Sequence, residues 1–201
     1  MEAVEKNIPF ALFARWYKRA RATEASLPNA VSVSSVNAKG APSSRMVLLK
    51  DFDETGFVFY TNFQSRKGNQ LGKNDQAAML FYWHDPQRQI RIEGTVTPVT
   101  AAEADEYFAT RPRGAKLGAW ASDQSRAMAG RHELKKRVAQ VTARYIGKKV
   151  PRPPHWSGYR LAPSYFEFWE NRAFRLHERV AYTLIKSGVK KGNWKKEYLF
   201  P

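Results

Sequence analysis

The sequence predicts a mainly β fold with flanking helices, in which consecutive antiparallel strands form a small closed or split barrel. Two observations carry the prediction. After one amphipathic helix, five or six short apolar or alternating runs follow one another as far as Val99, and short turns join them. The chain is also rich in aromatic residues, with 12 Phe, 9 Tyr and 6 Trp. Consecutive strands with short connections pair as antiparallel neighbours, and a strongly aromatic interior favours closure of the sheet.

Length and composition narrow the class of protein. The 201 residues suffice for one domain with a substantial core, so residues 1–201 are treated as a single domain. There is no Cys, which excludes disulfides and thiolate metal sites, and the 4 His residues show no metal-ligand spacing. The start MEAVEKNIPF does not resemble a signal peptide, and no apolar run approaches the roughly 18 residues of a membrane span. A cytoplasmic protein without membrane contact or bound metal is expected.

The net charge of +16 suggests an anionic partner, such as nucleic acid, anionic lipid or a small phosphorylated molecule. Much of the excess lies in residues 126–152 and in the tail, and charge runs of this kind are usually solvated faces. A nucleic-acid-binding protein without enzymatic activity is one hypothesis. The cations that stand singly beside aromatic residues and turns are more informative than the runs.

The elements of the first half follow from periodicity. Pro9 to Ala25 form an amphipathic helix whose aromatic stripe belongs to the core. The strands are predicted over 30–36, 45–50, 57–61, 77–83 and 89–99. The runs at 45–50 and 57–61 read as an antiparallel hairpin around a turn that contains Gly56. The largely apolar run 77–83 reads as a strand buried on both faces, and Gly94 is expected to mark a bulge.

The second half combines helices with further strands. Thr100 and Glu103 form a capping box, so a helix begins at 101 and ends near Arg111. A loop or short helix follows over 114–122. A long basic helix is predicted over 124–145, and strands are predicted over 159–161, 165–169, 174–184 and 194–199. The last two strands form a hairpin through the turn at 186–191.

A phosphate-binding site is predicted at Ser65, Arg66 and Lys67. Ser65 is placed as the cap of a short helix over 66–71 that stops at Gly72. Free backbone N–H groups, the positive end of the helix dipole and two cations would meet there. The alternative is an ordinary hairpin followed by a solvated basic helix.

Two further groups are candidate anion sites. Tyr107 and Arg111 lie four residues apart and share one face of a helix end, where they could hold a phosphate or form a surface stacking pair. Arg175, His177 and Arg179 alternate and would project from one face of a strand. Like charges in a row repel, so this face should be wet or meet an anion, and Trp169 could add an aromatic wall.

These features together resemble the pyridoxamine 5′-phosphate oxidase family over nearly the whole chain, from about Phe10 to Pro201. The motifs that carry the resemblance are RMVLLK at 45–50, FYTNFQSRKGNQL at 59–71, YWHDPQRQIRIEG at 82–94, YFATRP at 107–112, GAWASDQS at 118–125 and EFWENRAFRLHER at 167–179. The resemblance implies a split β-barrel, FMN as the cofactor, and a homodimer that builds two sites at its interface.

The resemblance also implies roles for individual residues. The positions that match residues lining FMN from one subunit are Arg45, Met46, Val47, Leu48, Lys50, Tyr60, Thr61, Ser65, Arg66, Lys67 and Gln89. The positions that match residues reaching the same flavin from the other subunit are Gln124, Ser125, Trp169 and Arg179. The substrate positions are Lys50, Tyr107, Arg111, Arg175 and His177. Of these, Arg175 and His177 are the implied catalytic residues, which orient the substrate and assist proton movement.

Two positions qualify the resemblance. Ala115 stands where the family usually has a serine that touches the substrate phosphate, so one hydrogen bond is missing, a loss of about 1 kcal/mol. Arg45 and Lys50 are five residues apart, and a regular strand would place them on opposite faces. Either Lys50 lies at the strand end or the strand bulges.

The implied activity is FMN-dependent oxidation of pyridoxamine 5′-phosphate or pyridoxine 5′-phosphate to pyridoxal 5′-phosphate, with O₂ as electron acceptor and release of H₂O₂. A related FMN-dependent oxidase of another substrate, such as a phenazine precursor, is the alternative. Lys50 and the Arg111-Pro112 motif argue against this alternative, whereas Ala115 leaves room for it. A nucleic-acid partner is the least favoured, since an anionic substrate and cofactor account for much of the charge.

Overall fold

The computed structural model describes residues 8–23, 27–188 and 192–201. Its strands form one antiparallel sheet. Its strands are β1 (Ala30–Val36), β2 (Pro42–Leu48), β3 (Asp51–Asp53), β4 (Gly56–Asn62), β5 (Gln76–Trp83), β6 (Arg88–Pro98), β7 (Trp156–Glu170), β8 (Glu178–Leu184) and β9 (Trp194–Leu199). The strand order is β2-β1-β5-β6-β7-β4-β3, and β8 pairs with both β7 and β9. The predicted mainly β, antiparallel fold is confirmed.

The long strand β7 explains the split form of the sheet. Along one edge it pairs with β6, whereas along the other its first part pairs with β4 and its second part with β8. The prediction of separate strands over 159–161 and 165–169 is wrong, because both are parts of β7. Its partner β6 shifts register between Glu93 and Gly94, which confirms the predicted bulge. A Cβ at Gly94 would lie 2.0 Å from the Ala162 carbonyl oxygen, so only Gly fits this close approach.

Within the described residues, five α-helices flank the sheet: α1 (Ile8–Thr23), α2 (Arg66–Leu71), α3 (Ala101–Thr110), α4 (Arg113–Ala121) and α5 (Glu133–Arg144). The Thr100 side chain accepts a hydrogen bond from the Glu103 N–H (3.1 Å), which confirms the predicted cap of α3. The predicted end of α1 at Ala25 falls outside the described residues. In the described part of the chain, no helix combines the length and the apolar character needed to cross a membrane.

Aromatic side chains between α1 and the sheet form the core. Phe13 is fully buried, and its ring centroid lies 4.8 Å from those of Phe52 and Phe57 in edge-to-face contacts. Such pairs add about 0.5–1.5 kcal/mol each to the burial of the rings. The prediction that β5 is buried on both faces is wrong, because its residues alternate between buried and exposed. Leu80 and Tyr82 point away from this core and are 40% and 59% exposed.

The predicted hairpin between 45–50 and 57–61 is also wrong. Strand β2 pairs along its whole length with β1, whereas the hairpin partner of β4 is the short strand β3. The Asp53 carboxylate accepts the N–H groups of Thr55 and Gly56 and thereby fixes the β3–β4 turn. Lys50 lies just beyond the end of β2, so the five-residue spacing from Arg45 does not require a bulge in the strand.

Two elements of the second half begin later than predicted. Helix α5 begins at Glu133 rather than at 124, because Ser125 adopts a left-handed φ of 70° and the following residues form turns. Strand β8 begins at Glu178 rather than at 174, because residues 173–175 form a 3₁₀ turn. Phe174 and Arg175 have φ values of 57° and 62°, a conformation that strands exclude. The predicted pairing of the last two strands is confirmed.

Candidate active site

A cleft of about 690 Å³ lies beside β2 and β4, and α3 and α4 form its other wall. Its lining residues are Met46, Val47, Leu48, Lys50, Tyr60, Thr61, Asn62, Lys67, Tyr107, Thr110, Arg111, Pro112, Ala115, Gly118, Ala119, Ser122, Gln124 and Trp156. Lys50, Lys67 and Arg111 are cationic, and none of the described lining residues is acidic. A concave site that gathers cations without carboxylates favours an anionic ligand.

Lys67 forms one cationic part of the cleft. The residue is 8% exposed, and its Nζ donates hydrogen bonds to Gln124 Oε1 (2.9 Å) and Ser65 Oγ (3.4 Å). Burial first, and the nearby charge of Arg45 second, together lower the pKa of Lys67 to about 8. Within the described structure no carboxylate pairs with this ammonium group. A buried, unpaired cation of this kind is stabilised when an anion binds.

The turn before Lys67 explains its position. Ser65 is fully buried, and its Oγ accepts the Gly68 N–H (3.2 Å), which begins α2 and confirms the predicted cap. A Cβ at Gly68 would lie 2.3 Å from the Phe63 carbonyl oxygen, so this tight turn requires Gly. The cap places Lys67 in the cleft, whereas Arg66 is exposed and outside it. The predicted group of Ser65, Arg66 and Lys67 is therefore only partly brought together.

Three aromatic rings and Arg111 form a second part of the cleft. Tyr60 stacks on Tyr107 with a centroid distance of 4.0 Å and on Trp156 with a distance of 5.2 Å. The Arg111 guanidinium carbon lies 4.7 Å from the Trp156 ring centroid. Arg111 Nη1 is buried without a hydrogen-bond acceptor, and burial lowers the pKa of this residue. Lys50 lies nearby, with its Nζ 5.7 Å from the Tyr107 ring.

Tyr60 is a neutral member of this stack. Burial first, and the negative charge of Glu103 second, raise its pKa to about 12. Its hydroxyl donates a hydrogen bond to the Glu103 carbonyl oxygen (3.4 Å). Tyr60 therefore provides a flat ring and a hydroxyl group without charge at physiological pH.

Arg45 lies behind the cleft and does not line it. Its guanidinium donates to the carbonyl oxygen of Val33 (3.1 Å), to the hydroxyls of Ser35 and Ser43 (2.6 Å each) and to Gln70 Oε1 (3.2 Å). These bonds join β1, β2 and α2. Arg45 therefore stabilises the packing of these three elements behind Lys67 and does not face the cleft.

The remaining predicted residues lie elsewhere on the chain. Gln89, Trp169 and Arg179 are neighbours in one row across β6, β7 and β8. The ring centroid of His177 lies 4.5 Å from that of Trp169, and Arg179 forms a salt bridge with Glu167 (2.8 Å). This row, together with Arg175 and His177, is called the second cluster below. None of its members lines the cleft of its own chain.

Three expectations need correction. Arg175, His177 and Arg179 do not share a strand face, because the 3₁₀ turn holds Arg175 and β8 begins after His177. Gln124 was expected from the other subunit, yet it bonds to Lys67 in its own chain. Gln89 was grouped with the residues near Lys67, yet it belongs to the second cluster. The exposed Ser125 follows Gln124 and does not line the cleft.

The sequence motifs pointed to ten of the lining residues and also marked Ala115. The ten are Met46, Val47, Leu48, Lys50, Tyr60, Thr61, Lys67, Tyr107, Arg111 and Gln124. Those to which no role was given are Asn62, Thr110, Pro112, Gly118, Ala119, Ser122 and Trp156. All of these except Trp156 lie within the quoted motifs, a signal that could have found them. Trp156 had no such signal, because β7 reaches β4 only through long-range pairing.

Two family profiles match the chain. One is described as pyridoxamine 5′-phosphate oxidase and matches residues 18–145, and the other is described as pyridoxine 5′-phosphate oxidase C-terminal dimerisation region and matches residues 156–201. The chain belongs to the pyridoxamine 5′-phosphate oxidase family. The first profile covers more than half of the chain, including both cationic parts of the cleft, and the second covers Trp156 and most of the second cluster.

Named relatives agree with this membership in the family. Pyridoxine/pyridoxamine 5′-phosphate oxidase of Caulobacter vibrioides is 55% identical over 193 residues, which is 96% of this chain and 85% of the relative. The protein of the same name from Brucella anthropi is 51% identical over 197 residues, which is 98% of this chain and 96% of the relative.

Solved structures confirm the split-barrel fold. The crystal structure of PhzG from Burkholderia lata 383, in complex with tetrahydrophenazine-1-carboxylic acid, superposes with a TM-score of 0.88 at 32% identity. That match covers 100% of this chain and 94% of PhzG. A pyridoxamine 5′-phosphate oxidase-related, FMN binding protein from Nostoc punctiforme has a TM-score of 0.73 at 17% identity, covering 95% of this chain and 96% of that one. The second likeness concerns the fold alone.

Proposed function

We propose that the chain is an FMN-dependent oxidase that converts pyridoxamine 5′-phosphate or pyridoxine 5′-phosphate to pyridoxal 5′-phosphate. The amine, O₂ and water would give the aldehyde, ammonia and H₂O₂, and the alcohol and O₂ would give the aldehyde and H₂O₂. The observation that carries this proposal is the cleft itself, which holds Lys67 and Arg111 without an acidic residue in its described lining. Two separate cationic groups suit two phosphorylated ligands, the cofactor and the substrate.

The Lys67 part of the cleft fits the FMN phosphate. Lys67 supplies a buried ammonium, and Thr61 and Gln124 add polar atoms within reach of it, since Thr61 Oγ1 lies 3.4 Å from Gln124 Oε1. The backbone and side chains of Met46 to Leu48 offer a wall for a flat ring system. When bound, FMN supplies the two-electron redox chemistry that amino-acid side chains lack.

Arg111, Tyr107 and Lys50 are the residues proposed to bind the substrate. Arg111 presents a buried Nη1 with no acceptor, and an ionised phosphate oxygen is a strong partner for such a donor. Lys50 and the Tyr107 hydroxyl belong to the same part of the cleft. Binding the phosphate at this fixed point orients the reacting carbon and excludes unproductive poses. Orientation of this kind accounts for several kcal/mol of a barrier in other enzymes.

The second cluster is proposed to complete the site of a partner subunit in a homodimer. Trp169, Arg175, His177 and Arg179 all lie within the matched dimerisation region, and none lines the cleft of its own chain. Leu80 and Tyr82, on the sheet face that carries Gln89, leave apolar surface for a partner to cover. In that dimer Arg175 and His177 would orient the amine or alcohol and carry its proton.

Anaerobic bleaching tests the proposed activity. The purified protein is loaded with FMN, oxygen is removed, pyridoxamine 5′-phosphate is added, and the visible spectrum is recorded before and after air is admitted. Loss of the flavin bands, with recovery in air and release of H₂O₂, is expected. Bound FMN that stays oxidised would indicate another substrate on this scaffold. Failure to bind FMN, together with salt-sensitive binding of nucleic acid, would instead favour the charge-based hypothesis.

Subunit complementation tests the shared site. One variant carries Lys67→Met, and a second carries Arg175→Ala and His177→Ala. Each homodimer should be strongly impaired, whereas a mixture refolded together should regain activity, because the mixed dimer holds one cleft with every group intact. Mixtures that stay as inactive as the separate variants would contradict a site built from both subunits. Wild-type activity of the Lys67→Met homodimer without the second variant would contradict the role of Lys67.

A further inference from the structure

Trp156 contacts both the stacked tyrosine rings of the cleft and the Arg111 guanidinium. It is the first residue of β7 and is only 7% exposed. Its ring is nearly parallel to that of Tyr60, with an angle of 5° between the planes. The Arg111 guanidinium lies over the same indole, at 4.7 Å from its centroid. Trp156 therefore contacts the cation that is proposed to bind the substrate phosphate.

The position of Arg111 depends on aromatic rings rather than on a carboxylate. Among the salt bridges of the described residues none includes Arg111, and its Nη1 is buried without an acceptor. Besides Trp156, the ring of Phe108 lies 5.5 Å from the guanidinium carbon. Rings attract a cation through their faces and leave its N–H donors free. A carboxylate in the same place would occupy the donors and cancel the charge.

We propose that Trp156 is a positioning residue that holds the Arg111 guanidinium in the orientation that binds the substrate phosphate. Through Tyr60, the same stack also reaches Tyr107, whose ring lies 4.0 Å from that of Tyr60. The identity of the anion in this inference rests on the proposed function. The contact between Trp156 and Arg111 does not depend on it.

The series Trp156→Phe and Trp156→Leu tests this role in the FMN-loaded protein. Ring currents of the indole should shift the side-chain NMR signals of Arg111, which are assigned by comparison with Arg111→Lys. The part of the shift that the indole causes should decrease in Trp156→Phe and disappear in Trp156→Leu, while the contribution of the Phe108 ring remains. The KM for pyridoxamine 5′-phosphate should rise about threefold in the Phe variant and about tenfold in the Leu variant, with little change in kcat. FMN affinity should stay near the wild-type value.

Arg144→Gln is the matched control. The Arg144 guanidinium lies over the ring of Trp120 at 5.7 Å, and neither residue lines the cleft. The KM of the Arg144→Gln variant and its Arg111 signals should therefore stay unchanged. In an Arg111→Met background, Trp156→Phe should cause no further rise in KM, because the group on which it acts is gone. A second rise of the same size would overturn the proposal.

Other outcomes are equally decisive. Unmoved Arg111 signals with wild-type KM, or a rise in KM accompanied by equal losses of kcat and FMN affinity, would show that Trp156 is only structural. If Trp156→Leu fails to fold, the Phe variant decides by the same criteria. If the wild-type protein does not oxidise the substrate, the proposed function fails. Loss of the Arg111 shift together with weaker binding of inorganic phosphate would then still support the positioning role.

Discussion

Replacing Lys67 with Met tests whether the Lys67 part of the cleft recognises a phosphate. Met keeps an unbranched chain of similar volume and removes the ammonium group that donates to Gln124 Oε1 at 2.9 Å. A hydrogen bond to a charged group contributes roughly 1.5–3 kcal/mol, which corresponds to a rise of about 10- to 150-fold in a dissociation constant. We therefore expect the dissociation constant for FMN to increase by that factor.

The assay is a flavin fluorescence titration of the apoprotein with FMN and, separately, with riboflavin, which lacks the phosphate. The Lys67→Met variant should bind riboflavin like the wild type and should lose affinity for FMN alone. Lys73→Met, at an exposed position outside the cleft, is the control and should change neither. Equal losses for both ligands would show that Lys67 supports the fold instead. Unchanged FMN affinity would refute the phosphate assignment.

The low pKa of Lys67 adds a pH dependence with a definite sign. Burial first, and the charge of Arg45 second, lower this pKa from 10.5 to about 8 in the apoprotein. FMN affinity should therefore be constant from about pH 7, where the phosphate is fully ionised, to about pH 8, and should decline by up to about tenfold per pH unit above it, as the ammonium is lost. The Lys67→Met variant should lack this decline.

The same pKa shift predicts how stability changes with pH. Because the folded apoprotein has the lower Lys67 pKa, the unfolded chain binds more protons between pH 8 and 10.5. The contribution of Lys67 to the free energy of unfolding should therefore increase with pH across this window. Thermal unfolding of the wild type and of Lys67→Met isolates it as a difference. If the difference in unfolding free energy between the two proteins does not change between about pH 7.5 and about pH 9.5, the pKa shift is contradicted.

Three further predictions concern the cleft and the residues that pack behind it. Ala115→Ser restores a hydroxyl beside the substrate site and should lower KM about fivefold, an effect of about 1 kcal/mol, at unchanged kcat in steady-state kinetics. In Gly158→Ala the new Cβ would lie 2.9 Å from the Tyr60 ring, so both Tm and substrate affinity should fall, whereas Gly114→Ala, with no atom within 4 Å of its Cβ, should keep both. Arg45→Met should lower the free energy of unfolding by about 3 kcal/mol in urea titrations and weaken FMN and riboflavin alike, because Arg45 braces the structure behind Lys67.

Features set by neighbours in the sequence could be predicted well. The caps at Ser65 and Thr100 depend on side-chain bonds that span three residues, and both are present. The bulge at Gly94 depends on a missing Cβ and is present too. The 45–50 and 57–61 hairpin failed because strand pairing is decided by distant partners. Strand β2 pairs with β1, and β4 pairs with β7. In the second pair Phe59 lies opposite Tyr159, a hundred residues further along the chain.

The second cluster shows a different limit of sequence reasoning. Alternation of Arg175, His177 and Arg179 is a property of spacing, and it places side chains on one face only if every φ is extended. The left-handed φ of 62° at Arg175 breaks that condition. A non-glycine residue in this conformation costs roughly 1–2 kcal/mol, and such strain is concentrated at functional sites. The motif therefore suggested the wrong geometry for these residues, and their role in the site stays a prediction.

Net charge and buried charge carry different information about this chain. The excess of +16 is spread over exposed residues, such as Lys135, Lys136 and Arg144 on α5, where water solvates it at little cost. Lys67 is buried and Arg111 has a buried Nη1 without an acceptor, so each loses hydration and gains no carboxylate in return. Folding keeps such an arrangement only if other interactions offset it, and a bound anion turns it into binding energy. The buried Lys67 ammonium and the buried Arg111 Nη1, rather than the total charge, therefore support the proposal that the cleft binds small phosphorylated ligands.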